Sequence, residues 1–328
     1  MKNMKNILTP LLFLVLGTSA MAQQDAQYSQ YMFNGVYINP AYAGYKEELN
    51  LHSFYRNQWT GIKGAPKSAS LAVDAIANDG NVGLAFQLAS DKLGPQNTLA
   101  GYASYAYRLR VSSSDPSARL ALGLGIGVVQ NTIDGNLFEP IDGYDGRIPM
   151  GIERNILPDA RTGVFFSNDR WYAGLSVDNL IAQYMAKKSR EIVFFPVQKP
   201  HYYLTAGMML PLSEHVQLKP SFLLKDDRGG PSSLDLNAFV LLADRVWLGG
   251  SYRTAIKLYD KSYLQRELSK RNAVVGMVEF FATPQLRIGY AYDQATGSLS
   301  GTSGGTHEIS VGFYIKPKKV RMMSQRYF

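Results

Sequence analysis

Alternation of apolar with small or polar residues, at a period of two, constrains this chain more than any other feature. In "RLALGLGIGVV", Leu120, Leu122, Leu124, Ile126 and Val128 fall on one face, and Ala121, Gly123, Gly125 and Gly127 on the other. "NVGLAFQLAS" sets Val82, Leu84, Phe86 and Leu88 against Gly83, Ala85, Gln87 and Ala89. "SLDLNAFVLL" sets Leu234, Leu236, Ala238, Val240 and Leu242 against Asp235, Asn237 and Phe239. "QLRIGYAYDQ" and "HEISVGFYI" repeat the pattern, the second with Ile309, Val311, Phe313 and Ile315 opposite Glu308, Ser310, Gly312 and Tyr314. A period of two belongs to strands, whereas helix faces recur about every 3.6 residues.

A soluble sandwich also alternates, so the connections decide the class. Strands are expected near 48–59, 67–77, 81–90, 98–111, 118–131, 160–168, 170–179, 201–210, 215–225, 232–243, 245–256, 272–282, 284–293 and 306–316. That is about 14 antiparallel strands, an even number, each near the length that a tilted membrane strand needs. Short links such as "NDG", "ND" and "TP" alternate with longer ones at 60–66, 91–97, 132–159, 180–200, 226–231, 257–271 and 294–305. Short turns on one side and long loops on the other mark an all-β, transmembrane outer-membrane β-barrel, with both termini on the short-turn, periplasmic side. Lipid forbids open sheet edges, so such a sheet closes. Glycines on its inner face help it curl. Trp59, Tyr107, Trp171, Tyr172 and Trp247 lie near expected strand ends, where an aromatic girdle belongs.

Residues 1–22 read as a secretory signal: Lys2 and Lys5, an apolar run from Ile7 to Leu16, and the small-x-small site Ala20 to Ala22. Residues 23–46 form an N-terminal periplasmic, plug-like segment, 47–316 the barrel, and 317–328 a basic tail. No later apolar run reaches the roughly 20 residues of a membrane helix. The chain has no cysteine, so a disulfide-stapled mini-domain is excluded. Without Lys2 and Lys5 the formal charge falls from +8 to +6, spread too evenly for nucleic acid to be a partner. The 21 tyrosines and 30 glycines suit a β-rich protein.

Three stretches carry a resemblance to a known family. They are "FNGVYINPAYAGY" (Phe33 to Tyr45), "FYRNQWTGIKGAPKS" (Phe54 to Ser68) and "GGTHEISVGFYI" (Gly304 to Ile315). In order and content the chain resembles the PorP/SprF family of outer-membrane proteins, found in Bacteroidetes with the type IX secretion system and gliding motility. The resemblance spans Gln23 to about Lys316. It implies a component of that system that assists secretion or surface anchoring of large proteins, typically adhesins, bearing a C-terminal sorting domain. Its implied partners are that C-terminal domain, periplasmic ring lipoproteins and the lipid bilayer.

The partner-binding candidates lie in the first two stretches: Tyr37, Asn39, Pro40, Tyr42, Arg56 and Trp59. Pro40 fixes its own φ and pushes Asn39 to an extended geometry, while Gly44 is free to take a left-handed one. This bend is expected at the periplasmic mouth, with Tyr28, Tyr31, Phe33, Tyr37, Tyr42 and Tyr45 either filling the lumen or facing a partner. Arg56, turned inward, is expected to pair with Asp74 or Asp293. His307, Glu308, Phe313 and Tyr314 mark the strand that closes the barrel. His307 and Glu308 point to opposite faces and so make no metal site. The tail beyond them carries Lys316, Lys318, Lys319, Arg321 and Arg326.

Catalytic signatures are missing. There is no G-x-S-x-G, no H-E-x-x-H and no P-loop, and His52, His201, His215 and His307 are far apart. No enzyme, cofactor or metal is expected. Asp134, Glu139, Asp142 and Asp145 crowd one loop, but their spacing is not that of an EF-hand, so a solvated loop is read ahead of a calcium site. The competing functions are a transport barrel for hydrophobic or small solutes and, behind it, an outer-membrane hydrolase.

Overall fold

A computed structural model describes residues 28–138, 148–181, 184–185, 195, 198–261, 272–296, 300–301 and 303–315. The strands are β1 (Leu49–Asn57), β2 (Lys67–Ala77), β3 (Val82–Leu93), β4 (Gln96–Arg110) and β5 (Arg119–Asp134). Next come β6 (Ile152–Ser167), β7 (Trp171–Asp178), β8 (His201–Met208), β9 (Leu210–Ser213) and β10 (Val216–Asp226). The last five are β11 (Ser232–Leu242), β12 (Val246–Ile256), β13 (Asn272–Phe281), β14 (Leu286–Ala295) and β15 (Thr306–Ile315).

Strands consecutive in sequence pair antiparallel, except that β8 and β9 both pair with β10, and β1 pairs with β15 from Leu49↔Ile315 to Asn57↔His307. The sheet is therefore closed. β8 and β9 are one stave, broken at Met209 and paired to β10 on both sides of the break, so the barrel has 14 staves. Pro220 in β10 sits at this break, where a residue without an N–H is tolerated.

The barrel is greasy outside. Leu122, Leu124, Ile126 and Val128 of β5 are exposed, as are Leu84, Phe86 and Leu88 of β3, while Ala85, Ala106 and Ala121 face inward and are buried. This inversion of a soluble core is what a bilayer requires. Tyr107 and Trp171 face outward as girdle residues should. Tyr172 and Trp247 do not: both are buried in the lumen, because strand parity turns Tyr172 inward when its neighbour Trp171 faces lipid.

The connections at 78–81, 111–118, 168–170, 214–215, 243–245 and 282–285 share one end, here the turn end; the others form the loop end. Five of the seven loop-end connections are long, and two are not. The expected loop at 91–97 is instead a continuation of β3 and β4, joined by a two-residue turn at Gly94 and Pro95. β5 and β6 likewise run on to Asp134 and from Ile152, beyond the apolar band that ends near Val128. The wall from β3 to β6 thus rises above the lipid at the loop end. Glu139, Asp142 and Asp145, the signal region and the basic tail lie outside the described residues.

Candidate functional site: a plug pinned in the lumen

Residues 28–46 occupy the lumen. They fold as three successive 3-10 turns, Tyr31–Phe33, Gly35–Tyr37 and Pro40–Tyr42. Asparagines cap the second and third of these turns: Asn34 Oδ1 accepts from the Val36 amide at 3.2 Å, and Asn39 Oδ1 from the Ala41 amide at 2.9 Å. Pro40 opens the last turn and holds Asn39 extended, at φ −148° and ψ 116°. Gly44 then takes φ +70° and turns the chain toward β1.

The wall makes room for this segment with glycines. A Cβ on Gly83 would fall 1.8 Å from the Ala43 carbonyl oxygen, and one on Gly123 would fall 2.1 Å from the Ala41 nitrogen. The inward glycines of β3 and β5 therefore let plug backbone lie against wall backbone, a second use beyond curvature. Aromatic rings fill the rest. Phe33 meets Phe239 and Trp247, while Tyr42 and Tyr45 meet Phe165 at 5.3 and 5.4 Å between centroids. Tyr28 stacks on Phe54 at 5.1 Å.

Buried charges on the wall hold the plug by its backbone. Glu308 accepts from the Ser29 and Gln30 amides, each at 2.8 Å, and pairs with Arg56 at 3.0 Å. Arg56 also pairs with Asp293 at 2.8 Å and donates to Ser29 Oγ. Arg253 continues this layer to Asp235 and Asp293. Further down, Lys219 Nζ donates to the Met32 carbonyl at 3.2 Å, and Arg287, paired with Glu279, donates to the Phe33 carbonyl. Arg161, paired with Asp178, donates to the Tyr37 carbonyl at 2.9 Å, and the Ser176 hydroxyl donates to that of Ile38. Charge-assisted hydrogen bonds of this kind are the strong ones.

These contacts give the plug a direction. Tyr28 and Ser29 sit by Arg56 and Asp293, toward the loop end, and Lys46 reaches Tyr314 at the turn end, donating to its hydroxyl at 2.9 Å. The segment runs the depth of the lumen rather than forming a bend at one mouth. Burial, reinforced by Arg287 and Lys219, holds the Lys46 ammonium well below the usual lysine range, against a smaller pull from Glu279 and Asp74.

Of the residues singled out from sequence, Tyr37, Asn39, Pro40, Tyr42, Arg56, Glu308 and Tyr314 converge in this lumen. Asn39 Nδ2 bridges to the Val164 and Leu175 carbonyls of β6 and β7. Trp59 does not join them; it follows β1 at the loop end with φ +49°, its amide donating to Thr306 Oγ1. Phe313 faces outward, and His307 does too, bonded to the Tyr290 hydroxyl at 2.7 Å. Arg56 takes Asp293 and Glu308 as partners and not Asp74, which lies near the turn end and accepts from Asn50 and the Gly44 amide. Arg161, Lys219 and Arg253 are site residues that sequence reasoning did not single out. Arg161 was accessible to it, since it shares strand parity with Gly163 and Phe165. Among the described residues no cluster of His, Asp or Glu could hold a metal ion.

With this geometry in place, comparison with known proteins identifies the family. Its sequence model, described as "Type IX secretion system membrane protein PorP/SprF", matches residues 20–313. The chain belongs to the PorP/SprF family. It is thereby an outer-membrane component of type IX secretion. No curated protein matches. Among solved structures, a Pseudomonas aeruginosa FadL homologue is 11% identical, over 91% of this chain and 96% of that one, with a TM-score of 0.47. The Ralstonia pickettii toluene transporter TbuX is 9% identical, over 88% and 94%, at 0.49, and Acinetobacter baumannii Omp33 6%, over 82% and 100%, at 0.44. The barrel assignment itself rests on the closed strand register of this PorP/SprF chain.

Proposed function

We propose that this PorP/SprF protein works as a docking and anchoring barrel rather than as a pore, assisting secretion or surface retention of a large protein with a C-terminal sorting domain. The observation that carries the reading is the plug: residues 28–46 fill the lumen and are bonded to the wall from Glu308 near the loop end to Tyr314 at the turn end. A channel for solutes needs a continuous path, and this segment stands across it. In this reading the turn end faces the periplasm and the long loops face outside. Periplasmic ring lipoproteins meet the turn end, and the cargo's C-terminal domain meets the loop end, where β3 to β6 stand above the lipid. The protein has no catalytic role of its own.

The test pairs two measurements. Affinity purification from the native cells in mild detergent is expected to recover a large secreted protein through its C-terminal domain. In a planar bilayer the pure barrel is expected to stay closed. Steady ion conductance with no secreted protein recovered would replace this reading with the transport barrel.

A further inference from the structure

We infer that a cavity above the plug, on its loop-end side, is a binding site for a carboxylate carried on a ring-sized apolar body. The cavity measures about 110 Å³, and its lining includes Tyr28, Tyr31, Tyr37, Tyr102, Tyr203 and Lys225; the two carboxylates that also line it are engaged, Asp178 by Arg161 and Asp91 by the Ser68 hydroxyl. An apolar cavity of about 150 Å³ accepts a benzene ring, so this one takes a group of similar or slightly smaller size. The walls offer ring faces, because several hydroxyls are engaged elsewhere. Asn237 donates to the Tyr31 oxygen, and Tyr37 and Tyr102 donate to the His52 carbonyl and to Asp159. Arg161 also stands in the wall, but its guanidinium is committed to Asp178, Gln87 and the Tyr37 carbonyl.

Lys225 and the Tyr28 hydroxyl, which has no hydrogen-bond partner among the described residues, remain to meet a ligand, and of the two only Lys225 carries charge. It is 6% exposed, and its ammonium lies over the Tyr203 ring, 5.9 Å from the centroid. No carboxylate among the described residues ion-pairs with it. Its two acidic neighbours in sequence hold other groups, and neither ion-pairs with it. Asp226 accepts from Lys261, Tyr259 and Ser232, and Asp227 Oδ1 from the Gly229 and Gly230 amides. The arginines of the lumen differ: Arg56, Arg108, Arg161, Arg253 and Arg287 each hold a carboxylate. A largely buried lysine with no carboxylate ion-paired to it favours an anion beside its ammonium. Aromatic walls and one cation without an ion-pair partner together select an acid with a planar or compact apolar body. Such an acid is either a small molecule or the carboxyl-terminal residue of a polypeptide.

The experiment uses the full-length barrel in detergent and ligand-observed NMR, with four probes: 4-fluorophenylacetate, its amide, N-acetyl-Gly-Gly-Phe and that peptide's C-terminal amide. At least one acid is expected to bind, and its amide to bind roughly tenfold or more weakly, since a hydrogen bond between charged groups is lost. Binding of the small acid indicates a free solute, and binding of the peptide acid alone indicates a polypeptide terminus. Lys225→Met is expected to abolish binding of the acid, and Lys225→Arg to retain it. Equal binding of acid and amide, no binding by any probe, or unaltered binding in a folded Lys225→Met would overturn the inference. Should Lys225→Met fail to fold, the acid–amide comparison on the unaltered protein decides the matter.

Discussion

Replacing Glu308 by alanine tests whether buried charge, and not mere crowding, holds the plug. Glu308 is fully buried and receives three hydrogen bonds: the Ser29 and Gln30 amides at 2.8 Å and Arg56 at 3.0 Å. Glu308→Ala leaves both amides without an acceptor. Each orphaned donor costs about 1–3 kcal/mol. Arg56 keeps Asp293, so its loss is smaller, and a local penalty of about 3 kcal/mol is a conservative figure. Because the Met32, Phe33 and Tyr37 carbonyls keep their own wall partners, the penalty should release residues 28–30 locally while the barrel stays closed. At about 1.4 kcal/mol per factor of ten, the amides of Ser29 and Gln30 should exchange with deuterium roughly a hundredfold faster. Hydrogen exchange read by mass spectrometry measures this directly, with β5 peptides as the internal reference. Unchanged protection at 29–30 in a folded Glu308→Ala barrel would show that packing alone retains the plug.

Other consequences follow from the same geometry. Gly83→Val and Gly123→Val drive a side chain into the Ala43 carbonyl and the Ala41 amide, so both should displace the plug and raise bilayer conductance, whereas Gly276→Ala, which meets nothing within 4 Å, should not. Leu124, exposed near the middle of the apolar band, should lose about 2–4 kcal/mol on replacement by Arg, while Thr132→Arg, above the band, should be close to neutral in detergent-to-lipid folding titrations. The lowered pKa of Lys46 means that the unfolded chain binds more protons than the folded one below the ordinary lysine pKa. Stability should therefore rise as pH approaches the ordinary lysine pKa from below, and Lys46→Met should flatten that rise in thermal unfolding.

Most of the wall was legible because lipid imposes a strict rule on it. The 14 expected strands coincide with the 14 staves, since each crosses the band where alternation is enforced. The misreadings at 91–97 and 132–159 fall above that band. There Ser90, Lys92, Asn97, Gln130 and Thr132 make the outward face polar, and alternation of hydrophobicity no longer reports strand. Tyr172 and Trp247 were misplaced for a different reason. Proximity to a strand end suggests a girdle, but parity decides the face, and inside a plugged barrel an aromatic residue is as much at home as at the lipid interface. Arg56 with Asp293 was readable from inward parity on two strands. Arg56 with Glu308 needed the β1–β15 register, which places them directly opposite across the seam that closes the sheet.

That seam explains why the plug and the barrel belong to one folding unit. Glu308 and Arg56 are cross-strand partners on β15 and β1, and both bind Ser29, only twenty residues before β1 begins. Left without the plug, Glu308 and Arg56 would compensate each other's charge, but Glu308 would lose two of its three donors and the layer would face an unfilled lumen. With the plug in place, the first and last strands are joined by their ladder and by a third strand of hydrogen bonds passing through Ser29 and Gln30. Closure and plugging therefore reinforce one another. Drawing out residues 28–30 would weaken the same layer that closes the sheet, so whatever displaced the plug would have to offset the lost hydrogen bonds to Glu308 and Arg56 with contacts of its own.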